Sequence, residues 1–243
     1  MPVRSSDPAP VPRAAFAGHR MGMDMDTQVA SPDLEAARHI LTAPLVARRA
    51  APHIGAESFD WDALFALETA EPEQARVLVG TAYELWEARR AVALWEIPAT
   101  LDQQGVERVI EALRISHGPV RTAPDARRVL AGARSPEHAA VAHVLGSPRL
   151  SARVRPHVHA DGFDWYALIA SAETMSRGQR LLVDIAHDLW TRGNAVGIRE
   201  VARSLDSANF VRVLEALETC RHAFGAYARQ PRPSLRRAEA IAA

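Results

Sequence analysis

The 243 residues carry 29 basic and 29 acidic side chains, and 48% of them are hydrophobic, the balance of an ordinary globular protein with no strong electrostatic bias toward nucleic acid or membrane. All the basic side chains counted are arginine, so Schiff-base chemistry, a P-loop phosphate site and a lysine general base are excluded. The lone Cys220 excludes an intramolecular disulfide and a cysteine zinc site, and no apolar run approaches the ~18 residues that a membrane span needs.

Residues 1–30 hold arginines but no apolar central region, so they do not read as a secretory signal. They are expected to form a disordered N-terminal segment, and Met21, Met23 and Met25 offer later translation starts. From Ser31 onward the chain repeats itself at a constant offset of 104 residues. Ser31-Pro32 returns as Ser135-Pro136, Pro52-His53 as Pro156-His157, and Phe59-Asp60-Trp61 as Phe163-Asp164-Trp165. Trp86 returns as Trp190, and Glu111-Ala112-Leu113 as Glu215-Ala216-Leu217. About 30 identities in roughly 88 positions mark a duplicated small domain rather than a solenoid unit. The expected organisation is module 1 at 31–118, an Arg/Pro-containing linker at 119–134, module 2 at 135–222 and a basic flexible tail at 223–243.

Within each module the elements read as helices. Ser31 and Ser135 are placed as N-caps with Pro at the first helical position. That helix is expected to run to about Leu41 or Leu145, with Pro44 and Pro148 ending it. Asp60 and Asp164 are placed to cap the next helix, with Phe59/Leu64 and Phe163/Leu168 at hydrophobic-staple spacing. The longest helix is expected at roughly 72–90 and 177–192, with Val77, Leu78, Thr81, Leu85 and Trp86 on one face. Ser176 and Gln179 form a capping box, and Gly193-Asn194 are read as the left-handed close of the helix. A short helix is expected near 95–101 and 198–205. Asp102 or Asp206 then caps a last helix whose apolar face is Val106, Val109, Ile110 and Leu113, or Phe210, Val213, Leu214 and Leu217. A short strand is considered at Ala91-Val92 and Ala195-Val196 alone. The fold expected is therefore all-α, two tandem homologous modules packed as an internal pseudo-two-fold pair, each ending in an arrangement like a helix-turn-helix.

Three kinds of function compete. A helix-turn-helix reader of DNA would have to present Asp102, Gln103, Gln104, Glu107 and Glu111, or Asp206, Asn209, Glu215 and Glu218, to phosphate, with Arg108 and Arg212 too few to offset the repulsion. Basic residues gather instead in the linker (Arg121, Arg127, Arg128, Arg134) and the tail (Arg229, Arg232, Arg236, Arg237). A metal-dependent enzyme would draw on His157, His159 and Asp161, a His-x-His-x-Asp run that module 1 lacks. The duplicated His39/His143 and His53/His157 read more simply as hydrogen-bonded structural histidines, and Arg108 with Glu111 as a surface pair. A ligand or partner surface would draw on residues that recur or carry charge in both copies: Trp61 and Trp165, Arg76 and Arg180, Glu96 and Glu200. No phosphate loop, nucleophile elbow, paired catalytic carboxylates or dinucleotide fingerprint occurs, so no cofactor is implied. The sequence therefore reads as a cytoplasmic, non-catalytic binding protein engaging a protein partner or a small ligand in a regulatory role.

Overall fold

A computed structural model describes residues 31–68, 73–119, 135–159 and 162–227. These residues are all-helical: twelve α-helices, two short 3₁₀ turns and no strand. The N-terminal half contains α1 (Pro32–Leu41), α2 (Pro44–Ala50), α3 (Trp61–Glu68), α4 (Glu73–Glu87), α5 (Glu96–Thr100) and α6 (Gln103–His117). The C-terminal half contains α7 (Pro136–Leu145), α8 (Ser151–Val154), α9 (Trp165–Ala172), α10 (Arg177–Thr191), α11 (Ile198–Ser204) and α12 (Ser207–Tyr227). The expected segment 1–30, most of the linker and the tail beyond Tyr227 lie outside the described residues.

Side-chain caps set several helix starts. Asp60 accepts from the Ala63 N–H at 3.1 Å and Asp164 from the Ala167 N–H at 3.1 Å. Asp102 accepts from Gly105 at 2.8 Å and Asp206 from Asn209 at 2.9 Å. Each satisfies one of the N–H groups that a helix start leaves without an intrahelical partner. The Ser176–Gln179 capping box forms as expected. Ser135 caps α7, whereas Ser31 precedes α1 without a side-chain bond.

The first helix ends at Leu41 and its counterpart at Leu145, as expected, and Pro44 in addition opens α2, because a proline in the first turn gives up an N–H that has no partner there anyway. Other expectations are corrected. The residue in left-handed conformation after α10 is Arg192, with φ of 59°, and not Gly193. Gly193 is required for closeness instead: a Cβ there would lie 2.4 Å from an Asp188 carboxylate oxygen. The longest helix is α12, of 21 residues, which crosses the expected boundary at 222/223.

In the N-terminal half α1 packs on α4 and α6; in the C-terminal half α7 packs on α10 and α12. Ile40, Val77, Leu85, Val109 and Leu113 are fully buried in the first bundle, as are Val144, Ile185, Val213 and Leu217 in the second. The halves interlock through their short helices. Helix α5 lies on α12 of the other half, and α11 lies on α6 and α4. A single apolar cluster runs through both bundles, as expected for modules whose individual cores are modest. Among the described residues no helix is long and apolar enough to cross a membrane.

Candidate functional site: an arginine-lined cleft between the halves

The site is organised by a buried acid at the end of α4. Glu84 is 1% exposed, and so is Asp188, its counterpart 104 residues on. Glu84 Oε2 accepts from the Ala91 N–H at 3.1 Å and the Val92 N–H at 3.4 Å. Asp188 Oδ2 accepts from Ala195 and Val196, each at 2.7 Å. Ala91-Val92 and Ala195-Val196 form no strand, and in each case the carboxylate takes the N–H groups that a strand partner would otherwise take.

Glu84 is one methylene longer than Asp188, and its other oxygen crosses to the second half, where it accepts from the Ile198 N–H at the start of α11. Gly197 makes room for this, since a Cβ there would stand 2.8 Å from Glu84 Oε1. Burial pushes the Glu84 carboxyl above its ordinary range, against the opposing pull of three backbone N–H groups and of Arg90.

A second buried acid also joins the halves through α11. Asp33 in α1 is 2% exposed. It accepts from Ser116 Oγ at 2.6 Å and from Arg199 at 2.8 Å, and lies 2.7 Å from the Arg203 guanidinium. Arg199 also donates to the Trp86 carbonyl at 3.2 Å. Arg199 and Arg203 sit four apart on α11 and so share a face. Their counterparts in the N-terminal half are Trp95 and Ala99, so this arginine pair belongs to the C-terminal half alone.

Around these anchors opens a cleft of about 420 Å³, lined by Glu84, Ala88 and Arg90 from one half and by Arg177, Gly197, Arg199, Glu200, Arg203 and Ser204 from the other. Arg90 donates to the Asn194 carbonyl at 2.8 Å. Arg177 is 80% exposed and lies 3.6 Å from Glu200. Four arginines thus line a volume suited to a small molecule, together with the acids Glu84 and Glu200, and fork-shaped donors suit carboxylate or phosphate oxygens.

The residues singled out from the sequence are largely elsewhere. Arg76 pairs with Glu96 at 2.7 Å within the N-terminal half, and Glu96 also accepts from the Ala93 N–H at 2.8 Å. The copy of that pair is broken: Arg180 donates to the Glu173 and Ala172 carbonyls, and Glu200 turns to Arg177. Glu200 alone of the six lines the cleft. Trp61 and Trp165 are half-buried against the core, with Phe59 and Phe163 as ring neighbours at 4.9 and 5.3 Å, and each has a covered indole N–H without a hydrogen-bond partner. His157 stands 3.5 Å from Ser171 Oγ, the His159 side chain is exposed, and Asp161 lies outside the described residues. No group of three potential metal ligands is found among the described residues.

The His143 ring N–H donates to a Glu215 carboxylate oxygen at 2.6 Å and His143 sits 3.4 Å from Arg212, while His39 lies 3.3 Å from Arg108. Burial lowers both imidazoles below 6.5, the Glu215 contact opposing this in His143. Glu111, expected to pair with Arg108, pairs instead with Arg114 at 3.0 Å. The two buried acids that join the halves escaped the sequence reading because Glu84/Asp188 and Asp33/Glu137 are substitutions and not identities. A shared acid at both positions was the available signal.

No family model, curated protein or solved structure matches the chain.

Proposed function

We propose that this is a non-catalytic binding protein whose two homologous halves pack as an internal pseudo-two-fold pair, and that its ligand is a small anion, a carboxylate or phosphate compound, held in the cleft between them. The observation that carries this reading is that Arg90, Arg177, Arg199 and Arg203, from both halves, line one cleft of about 420 Å³. Sites of this size at the junction of two units are where small ligands bind most often. The regulatory element is the double use of the arginines. Arg199 and Arg203 tie the halves together through Asp33, so an anion that draws on them alters the balance of charge at the interface.

The pseudo-symmetric packing is supported by reciprocal contacts: α5 on α12 and α11 on α6 involve corresponding helices with the halves exchanged. A ligand reading is favoured over DNA readout because α5 and α11, the first helices of the helix-turn-helix-like units, are engaged in packing. In addition Asp102, Gln103, Gln104, Glu107 and Glu111 are exposed on the face that would meet phosphate.

Calorimetric titration at low ionic strength with inorganic phosphate and with succinate tests the proposal. Saturable binding of at least one, weakened tenfold or more by Arg90→Ala with Arg177→Ala, is expected. No saturable heat with either anion, or binding untouched by the double variant, would contradict it.

A further inference from the structure

The C-terminal half ties together a place that the N-terminal half leaves open. In the C-terminal half Ser147 Oγ donates to Asn209 Oδ1 at 2.7 Å, and Asn209 Nδ2 donates to Asp206 Oδ2 at 3.0 Å. Gln179 adds a bond to the Arg149 carbonyl at 2.6 Å. The counterparts of Ser147, Asn209, Arg149 and Gln179 are Ala43, Gly105, Leu45 and Ala75, so none of these side-chain bonds can form in the N-terminal half. A pocket of about 350 Å³ lies there instead, between α2, α4 and the start of α6.

The walls are of two kinds. Ala43, Pro44, Leu45, Leu78 and Leu101 form the apolar part. Leu78 and Leu101 are buried, while Leu45 is 41% exposed, one of four large apolar side chains exposed among the described residues. Gln74, Asp102, Gln104 and Arg108 form the polar part. Asp102 Oδ1 accepts from the Gly105 N–H at 2.8 Å. No described residue donates to Asp102 Oδ2, the oxygen that in Asp206 receives the Asn209 amide. Arg108 reaches the Thr42 carbonyl at 3.4 Å and the His39 ring at 3.3 Å, whereas its counterpart Arg212 donates to the His143 carbonyl at 2.8 Å. One carboxylate oxygen and one loosely held guanidinium thus border the same apolar pocket.

We propose that this pocket binds a free aliphatic α-amino acid of leucine's size. Its ammonium donates to Asp102 Oδ2, in the place that the Asn209 amide takes in the other half. Its carboxylate meets the Arg108 guanidinium, a charge-assisted contact. Its side chain lies against Leu45, Leu78 and Leu101, where removal of apolar surface from water adds to affinity. An apolar concavity with a few polar groups that fix orientation is the usual form of a small-ligand site. A plain carboxylic acid or a plain amine would leave Asp102 or Arg108 facing the ligand without a partner, so the zwitterion is preferred to either. The pocket shares no residue with the cleft between the halves and stands or falls independently of it.

The test is calorimetric titration of the intact protein with L-leucine, with isocaproate, which lacks the ammonium, and with isoamylamine, which lacks the carboxylate. The expected result is saturable one-to-one binding of leucine, weakened at least tenfold by either change to the ligand. Ala43→Ser with Gly105→Asn installs the pair that the other half carries, and should abolish binding while leaving the circular dichroism spectrum unchanged. A Cβ at Gly105 would meet Leu101 Cβ at 3.0 Å, so a second variant avoids that contact. Leu45→Arg places the other half's residue at an exposed position and should weaken leucine at least tenfold with the fold intact. The proposal is overturned if leucine shows no saturable binding, if isocaproate or isoamylamine binds as well as leucine, or if either folded variant binds leucine like the parent.

Discussion

Arg90 donates a hydrogen bond to the backbone carbonyl of Asn194 at 2.8 Å, and these two residues are counterparts, 104 positions apart. In a pseudo-two-fold arrangement such as the one proposed above, a residue touches its own counterpart only near the axis. Contacts further out come in exchanged pairs. His117 faces Ser207 at 3.5 Å while Arg221 donates to Gln103, the counterparts of His117 and Ser207 respectively. His117 also bonds the Ala202 carbonyl at 2.7 Å and stacks on Phe210 with ring centroids 4.0 Å apart. These pairs support the pseudo-two-fold arrangement proposed above.

Glu84 separates local from inter-half stability. Glu84→Asp should keep the Ala91 and Val92 bonds, as Asp188 does for its own loop, but withdraw from Ile198. We expect a loss of about 1–3 kcal/mol, the cost of one buried N–H left without an acceptor. Glu84→Gln should cost at least as much, since its amide NH₂ would confront one of the two sets of donors. Urea unfolding of both variants measures this, and a change near zero would remove Glu84 from the interface account.

Asp33 should be less replaceable. Asp33→Asn leaves Arg199 and Arg203 without their anion, and both guanidiniums are partly solvated at 33% and 45% exposure. The loss should therefore fall at or below the low end of the range for breaking a buried ion pair, about 2–3 kcal/mol. Chemical denaturation should show it, with Ser116→Ala a milder companion.

His143 sets part of the acid sensitivity. Its folded-state value is held below 6.5 by burial, with Arg212 acting in the same direction and Glu215 in the opposite one. The unfolded chain then binds the proton first as pH falls. The stability that the neutral imidazole contributes is present above 6.5 and declines from there toward the lower folded-state value. His143→Gln should flatten that part of the stability–pH curve relative to the parent. An unchanged slope would assign the sensitivity to other groups, His39 being the first of them.

Cys220 should be inert in the folded protein. It is 1% exposed, and burial, with Glu137 adding to the effect, pushes its thiol up to about 12. Thiolate is the reactive form, so labelling by a thiol reagent should proceed at the rate of opening of α12 and accelerate sharply in denaturant. Rapid labelling under native conditions would contradict the burial.

Much of the fold was legible in local chemistry. Asp60, Asp164, Asp102, Asp206 and Ser176 were readable as caps because capping depends on residues within three positions. The apolar faces of α4 and α6 followed from periodicity. The candidate site was not legible, because it depends on distance. Nothing near Glu84 in the sequence indicates that its second oxygen meets Ile198, and nothing in α11 indicates that Arg199 and Arg203 reach Asp33. The broken copy of Arg76–Glu96 makes the same point: identical residues at Arg180 and Glu200 find different partners once Arg177 is nearby.

The most direct test of the account is differential scanning calorimetry of the intact chain beside Glu84→Asp. If the halves are interlocked through α5, α11 and the Glu84 and Asp33 bonds, the parent should unfold in one transition whose calorimetric and van't Hoff enthalpies agree. The variant should then move that whole transition downward. Two separate transitions in the parent, with Glu84→Asp shifting one and leaving the other in place, would contradict the interlocked pair and with it the cleft as a shared site.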